Sequence, residues 1–245
     1  VSTEQDVRRI VEQAILDQPR SQQTLIGPSE IGIDCDRCLG HKLAGTPQRR
    51  EAAWLPYIGT AMHAQLERVF LDARLDGRWA AETRVWVGDI DGQEIHGSCD
   101  LLDAEHGTVV DFKLVGATTL TSARIGPSAQ YRTQAHLYGR GWQHNGVDIK
   151  RVAIWYLPRN AVTLDNGIWW TEPYDERVAI DALTRADALA QAIRILGAEQ
   201  ILPTLERKSG CYDCRRYPAY PSDPQPSSHA GPFSDLQPQL EGAPA

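Results

Sequence analysis

The stretch GSCDLLDAEHGTVVDFKLVG, residues 97–116, reads as two strands joined by the turn AEHG, with Asp100 in the first strand and the triplet Asp111-Phe112-Lys113 in the second. Strands of this kind hide apolar residues on one face and leave polar ones to water. Asp100, Asp111 and Lys113 interrupt apolar runs instead. Asp111 and Lys113 are two apart and so share a face. On a hairpin, residues remote from the turn lie beside one another, so the three charges are expected to form one acidic and basic patch.

The flanking sequence gives that hairpin a context. Strands are predicted over 83–89, 93–101 and 107–114, a meander whose other turn is DIDG. Upstream, spacing predicts an amphipathic helix over 4–17 and a second over 57–75, with Met62, Leu66, Val69 and Phe70 as its apolar stripe and His63 and Glu67 on another shared face. Ser29, in the loop GPSE, is a candidate helix cap. Downstream come a helix over 128–143, the buried strand RVAIWYLP (151–158) ended by Pro158, a strand in GIWWTE, and an Ala-rich helix over 174–197. This order predicts an α/β fold with a mixed central sheet flanked by helices. One domain is expected over 1–216. The Pro-, Ser- and Gly-rich segment 217–245 reads as a disordered tail, because it lacks the apolar residues to offset ordering entropy.

Composition restricts the function. With 42% apolar and 23% charged residues, no apolar run long enough for a membrane span and no basic-then-hydrophobic opening, a soluble, cytoplasmic protein is expected. A net charge of -7 argues against a uniformly phosphate-binding surface. Basic residues nevertheless cluster at Arg37, His41 and Lys42, at Arg49 and Arg50, at Arg124, Arg132 and Arg140, and at Arg207, Lys208, Arg215 and Arg216. Five cysteines in such a chain do not suggest a disulfide framework. Cys35 and Cys38 form one C-x-x-C pair and Cys211 and Cys214 another, the arrangement that gathers four thiolates around one metal or cluster; Cys99 reads as a small buried residue.

Phosphodiester hydrolysis uses a divalent cation to hold the phosphate and activate water, and Mg²⁺ takes a few carboxylate oxygens alongside its own waters. Asp100 and Asp111 supply such oxygens, His63 is a further candidate ligand, and Lys113 is placed to orient or deprotonate the attacking water and to stabilise charge on the phosphate. Gln134 and Tyr138 lie one helical turn apart, and Gln130 and Tyr131 extend that face backwards. Together they read as a strip of groups to position a phosphate and the neighbouring base.

These residues carry a resemblance. His63 in GTAMHAQLE, Asp100 in GSCDLL, Asp111 and Lys113 in VVDFK, and Gln134 and Tyr138 in QAHLY resemble, in order over residues 29–157, the motifs of the RecB-like nucleases of the PD-(D/E)XK superfamily. The flanking cysteines, entered through SEIGIDCDRC, are similar to the subgroup that closes its nuclease domain with an iron–sulfur cluster, which includes the Cas-four exonucleases and phage-encoded relatives. That subgroup places one cysteine before the core and three after it, whereas this chain has two and two. The resemblance therefore implies a [4Fe–4S] cluster on Cys35, Cys38, Cys211 and Cys214, with structural Zn²⁺ as the alternative that four thiolates also suit.

It further implies a Mg²⁺- or Mn²⁺-dependent deoxyribonuclease with a restriction-endonuclease-like core. His63, Asp100 and Asp111 would hold metal, Lys113 would assist the water, and Gln130, Tyr131, Gln134 and Tyr138 would contact substrate. The expected activity is that of an exonuclease on single strands or ends in DNA recombination, repair or processing, with Arg37, Lys42, Lys208, Arg215 and Arg216 guiding the strand. A structure-selective endonuclease and a non-catalytic DNA-binding scaffold are the rivals. DNA is the expected partner, with a homo-oligomer or a recombination complex as further possibilities.

Overall fold

The computed structural model describes residues 2–18, 26–48, 52–73, 77–209, 211 and 213–220. Among the described residues, four helices precede the sheet: α1 (Thr3–Leu16), α2 (Pro28–Ile31), α3 (Asp36–Leu43) and α4 (Trp54–Asp72). Helix α1 starts with a reciprocal capping box, in which the Ser2 hydroxyl accepts from the Gln5 backbone and the Gln5 side chain accepts from the Ser2 backbone. The expected cap at Ser29 is not formed. Gly27 holds the cap position of α2, whose first turn opens with Pro28, and Ser29 lies inside that short helix.

The sheet has five strands, β1 (Trp79–Ile90), β2 (Gln93–Asp103), β3 (Thr108–Val115), β4 (Arg151–Pro158) and β5 (Ile168–Pro173), in that spatial order. Asp91 and Gly92 both take positive φ, 50° and 75°, as a two-residue type I′ turn requires, and so fold β1 back onto β2. Strands β2 and β3 are also antiparallel, β3 and β4 are parallel, and β5 returns antiparallel on β4. The parallel step needs a crossover, supplied by α5 (Ala117–Ala123) and α6 (Ala129–His144). Helices α7 (Glu176–Leu196) and α8 (Ala198–Ile201) follow the sheet. Among the described residues no helix is long and apolar enough to cross a membrane.

The two sheet faces differ. One carries Val109, Val115, Val152 and Ile154 against Ala135 and Leu137 of α6 and Ala179, Leu183 and Ala186 of α7. Gly141 makes the close approach of α6 to β1 possible: a β-carbon there would lie 2.7 Å from the Trp86 carbonyl oxygen and from a Val85 methyl. The other face carries Leu101, Val110, Phe112, Ala153 and Leu157, covered over part of its width by Met62, Leu66 and Phe70 of α4. Val69, expected in that stripe, is exposed. Met62, Leu66 and Phe70 are spaced four apart and share one helix face, whereas Val69 falls off that spacing and turns to solvent.

The mixed sheet flanked by helices is the expected architecture. Tyr217, placed by composition at the start of the tail, is buried against Cys35 and Cys38. Residues 221–245 of that tail, and the Arg49–Arg50 cluster, lie outside the described residues.

Candidate active site and thiolate centre

The site lies where the sheet forks. Strands β2 and β3 pair only at Leu101–Val110, Leu102–Val109 and Asp103–Thr108. Beyond that point β2 stays with β1 while β3 stays with β4. A fork strips backbone groups of ladder partners, and the Asp100 carboxylate fills the gap: its Oδ2 accepts from the Phe112 backbone N–H at 2.7 Å. The other oxygen, Oδ1, lies 3.2 Å from His63 Nδ1. Asp100 thus fixes the crotch of the fork and faces a ligand-type side chain from α4.

Glu82 joins them, a residue that sequence reasoning missed. Its Oε1 lies 3.7 Å from His63 Nδ1, and ligand atoms of His63, Glu82 and Asp100 all lie within 4.8 Å of one another. Glu82 has φ of 45°, uncommon for a residue other than glycine and of a kind that gathers at functional sites. Burial alone would lower the His63 pKa, but the Asp100 and Glu82 carboxylates outweigh it and raise it to about 9. Glu67, one turn along α4, is not part of the group. Glu82→Gln is expected to weaken Mg²⁺ or Mn²⁺ binding by about 10-fold or more, the scale on which metal-site supports act. Metal titration by calorimetry checks this, and unchanged affinity would remove Glu82 from the centre.

Asp111 is the deepest charge, with its side chain 0% exposed. Lys113 Nζ lies 2.7 Å from its Oδ2, yet neither carboxylate oxygen accepts a well-directed hydrogen bond. Burial pushes the Asp111 carboxyl up to about 6, assisted by the charge on Asp100 and opposed by Lys113 and His63. A buried carboxylate with open lone pairs is costly unless a cation faces it. Lys113 supplies one such cation at Oδ2, and Oδ1 keeps open lone pairs of the kind a divalent ion takes.

Lys113 is held from three sides. Beyond Asp111, its Nζ donates to Gln134 Oε1 at 3.1 Å and stands 4.9 Å from the centre of the Tyr131 ring. The Ser128 hydroxyl caps α6 by accepting from the Tyr131 backbone, which sets the first turn that carries Gln130 and Tyr131. Gln130 donates to the Ser29 carbonyl and so ties α6 to α2. Tyr138 is 5% exposed and has no free ring face for a base. Gln134 and Tyr131 are thus directed at Lys113, whereas Gln130 is engaged with α2 and Tyr138 packs in the core.

The second centre joins the segments on either side of the sheet. Cys35 caps α3, Cys38 lies in its first turn, and Cys214 sits in the 3₁₀ turn Asp213–Arg216. Sulfur separations are 3.6 Å for Cys35–Cys214, 3.5 Å for Cys38–Cys211 and 3.3 Å for Cys38–Cys214. Cys99 is buried in the main core, as its sequence context suggested.

The expected basic guide is largely engaged within the protein. Arg37 is buried and donates to the carbonyls of Leu205 and Pro203. Lys42 pairs with Glu30, Lys208 with Asp34, and Arg216 with Asp213. These groups fasten the 202–216 segment and α2 to their neighbours.

No protein-family model matches the sequence, and no curated protein matches it. Among solved structures, the chain is similar to the alkaline exonuclease LHK-Exo of Laribacter hongkongensis, with a TM-score of 0.49 and 12% identity over 74% of this chain and 93% of that one. For LHK-Exo in complex with dAMP the TM-score is 0.49 and the identity 14%, with 74% and 93% covered. A phage-related exonuclease from Haemophilus somnus 129PT gives a TM-score of 0.37 and 14% identity over 59% and 70% of the two chains.

Proposed function

We propose that this protein is a Mg²⁺- or Mn²⁺-dependent deoxyribonuclease of the RecB-like PD-(D/E)XK type that works from DNA ends. The observation that carries the reading is the forked sheet, which brings His63, Glu82 and Asp100 within 4.8 Å and sets the unsatisfied Asp111 carboxylate and Lys113 beside them. These side chains suit a hard divalent cation, which when bound polarises the phosphate and makes its water acidic. Lys113, fixed by Asp111, Gln134 and Tyr131, stabilises the negative charge that grows on the phosphoryl oxygens as water attacks phosphorus and the P–O bond to the leaving strand breaks. Asp100 serves twice, as ligand and as the brace that holds β3 through Phe112.

The recess supports end-directed action. Lys113 is only 15% exposed and Asp111 fully buried. A flexible terminal strand enters such a site more readily than a phosphate on the convex surface of an intact duplex. Closed circular single-stranded DNA and its linear form, each with Mg²⁺ or Mn²⁺, test this. Degradation of the linear form alone is the expected result. Rapid loss of the circle would replace the end-directed reading with an endonuclease, and failure to cut either form or linear duplex DNA would overturn the nuclease reading itself.

The thiolate centre is read as structural, and its spacing favours one ion. A tetrahedral Zn²⁺ with bonds of about 2.3 Å sets its sulfurs about 3.8 Å apart. The observed separations of 3.3 to 3.6 Å lie near that edge. A four-iron cube places each sulfur outside a different iron and spreads them further.

A further inference from the structure

A cavity of about 450 Å³ opens on the α4 face of the sheet, beside the helix. It lies across the sheet from Asp111 and Lys113, because Phe112, between them, points its ring the other way. Its walls are aromatic and come from five elements: Phe70 of α4, Trp79 of β1, Phe112 of β3, Trp155 of β4 and Trp169 of β5. Their rings form a continuous series, with centroids 5.4 Å apart for Phe70–Trp79, 6.0 Å for Phe70–Phe112, 6.1 Å for Phe112–Trp155 and 6.2 Å for Trp155–Trp169. Trp169 is 52% exposed at the open side.

The rim is polar. Asp103 lies there, but Arg78 holds both of its oxygens, at 2.9 and 2.7 Å, and also pairs with Glu105. The acidic group at the rim already has its cation, so it neither calls for a metal nor strongly repels an anion. Thr108 and Thr171 bring hydroxyls to the same wall. Arg151 is exposed; its Nε donates to Thr171, and it makes no ion pair among the described residues.

We propose that this cavity binds a nucleobase carrying a phosphate, with the base against the Trp155 and Trp169 rings and the phosphate on Arg151. The volume is that of a small-ligand site. Aromatic walls offer a π-face to any base, hydroxyls at the edge match its polar rim, and the unpaired guanidinium complements phosphate. An apolar anchor from a partner protein would use the rings but leave Arg151 without an anion. The site does not depend on the nuclease reading.

The test is a ligand-detected NMR titration of the full chain with dGMP, deoxyguanosine and N-acetyltryptophanamide, without added Mg²⁺ or Mn²⁺. Saturable dGMP binding is expected, about 10-fold or more weaker in Trp169→Leu. Arg151→Gln is expected to reduce dGMP to the level of deoxyguanosine. Both residues lie at the surface, and thermal melts confirm folding; Trp155→Phe, which keeps a ring, should retain most binding. Absence of saturable dGMP binding, or dGMP binding as tight as the parent's in Trp169→Leu or Arg151→Gln, would overturn the proposal. Tighter binding of N-acetyltryptophanamide would do so too and would assign the cavity to a partner's aromatic side chain.

Discussion

Asp111→Asn and Lys113→Met are each expected to lower DNA turnover by about 10²–10³-fold or more, the cost of losing one pre-placed electrostatic group in a closed site. Their effects on stability should differ in kind from those of core substitutions. The Asp111 carboxylate is fully buried with no well-directed donor on either oxygen, so folding without metal places a charge where it is poorly solvated. Asparagine has nearly the same shape and removes that charge. It also leaves Lys113 Nζ, 2.7 Å away in the parent, without that partner, so the metal-free variant should melt below the parent, and it should lose the stabilisation that added Mg²⁺ or Mn²⁺ confers by binding the folded state. Turnover and melting with and without metal decide the matter together. An Asp111→Asn protein that cleaves at the parental rate removes the carboxylate from the reaction. One that unfolds makes it a structural residue.

Much of this site was legible because its residues interrupt patterns. Asp100 and Asp111 break apolar runs, and the two-residue spacing of Asp111 and Lys113 survives any error in strand ends. Glu82 was not legible, for a specific reason. Counted from the Ile90–Gln93 pair next to the turn, the hairpin register sets Glu82 against Leu101. A bulge between Trp86 and Gly88 shifts the ladder by one, so that Ala81 pairs with Leu101, Thr83 with Cys99, and Glu82 falls opposite Asp100. No alternation of apolar and polar residues announces such a bulge. Gly88, with φ of 152° and Leu183 packed where its side chain would be, is the one local sign of it.

Other differences have the same character. Gln134 and Tyr131 were placed on the right helix face, but only the fold shows that they meet Lys113. The basic clusters misled because charge in sequence does not record its partners. Glu30 and Asp34, which engage Lys42 and Lys208, lie 12 and 174 residues away.

Removing one thiolate is expected to give the largest loss of stability in the molecule. Burial raises the Cys38 thiol far above its ordinary range and the Cys214 thiol to about 12, so without a cation these sulfurs stay protonated and crowded. A bound metal would release those protons and make the cluster a tie between α3 and the segment that carries Cys211, Cys214 and Tyr217, whose ring stacks against His41 at 4.3 Å and whose hydroxyl accepts from Gln48. Four-thiolate zinc contributes an apparent 10–16 kcal/mol or so in small domains, comparable with the roughly 5–15 kcal/mol that holds a whole domain together. Even partial loss in Cys38→Ser should lower the melting temperature by about 10 °C or more, at about 2–4 °C per kcal/mol for a chain of this size. Arg37→Gln, which loses hydrogen bonds to Leu205 and Pro203 and the cation–π contact with Tyr220, should cost much less. Metal analysis of protein purified without oxygen identifies the ion. One zinc per chain in colourless protein is expected from the sulfur spacing, whereas brown protein with about four iron and four sulfide per chain would keep the tie but assign it to a cluster. A parental melting temperature in Cys38→Ser, or protein that contains neither metal, would show that the four cysteines do not hold the domain closed.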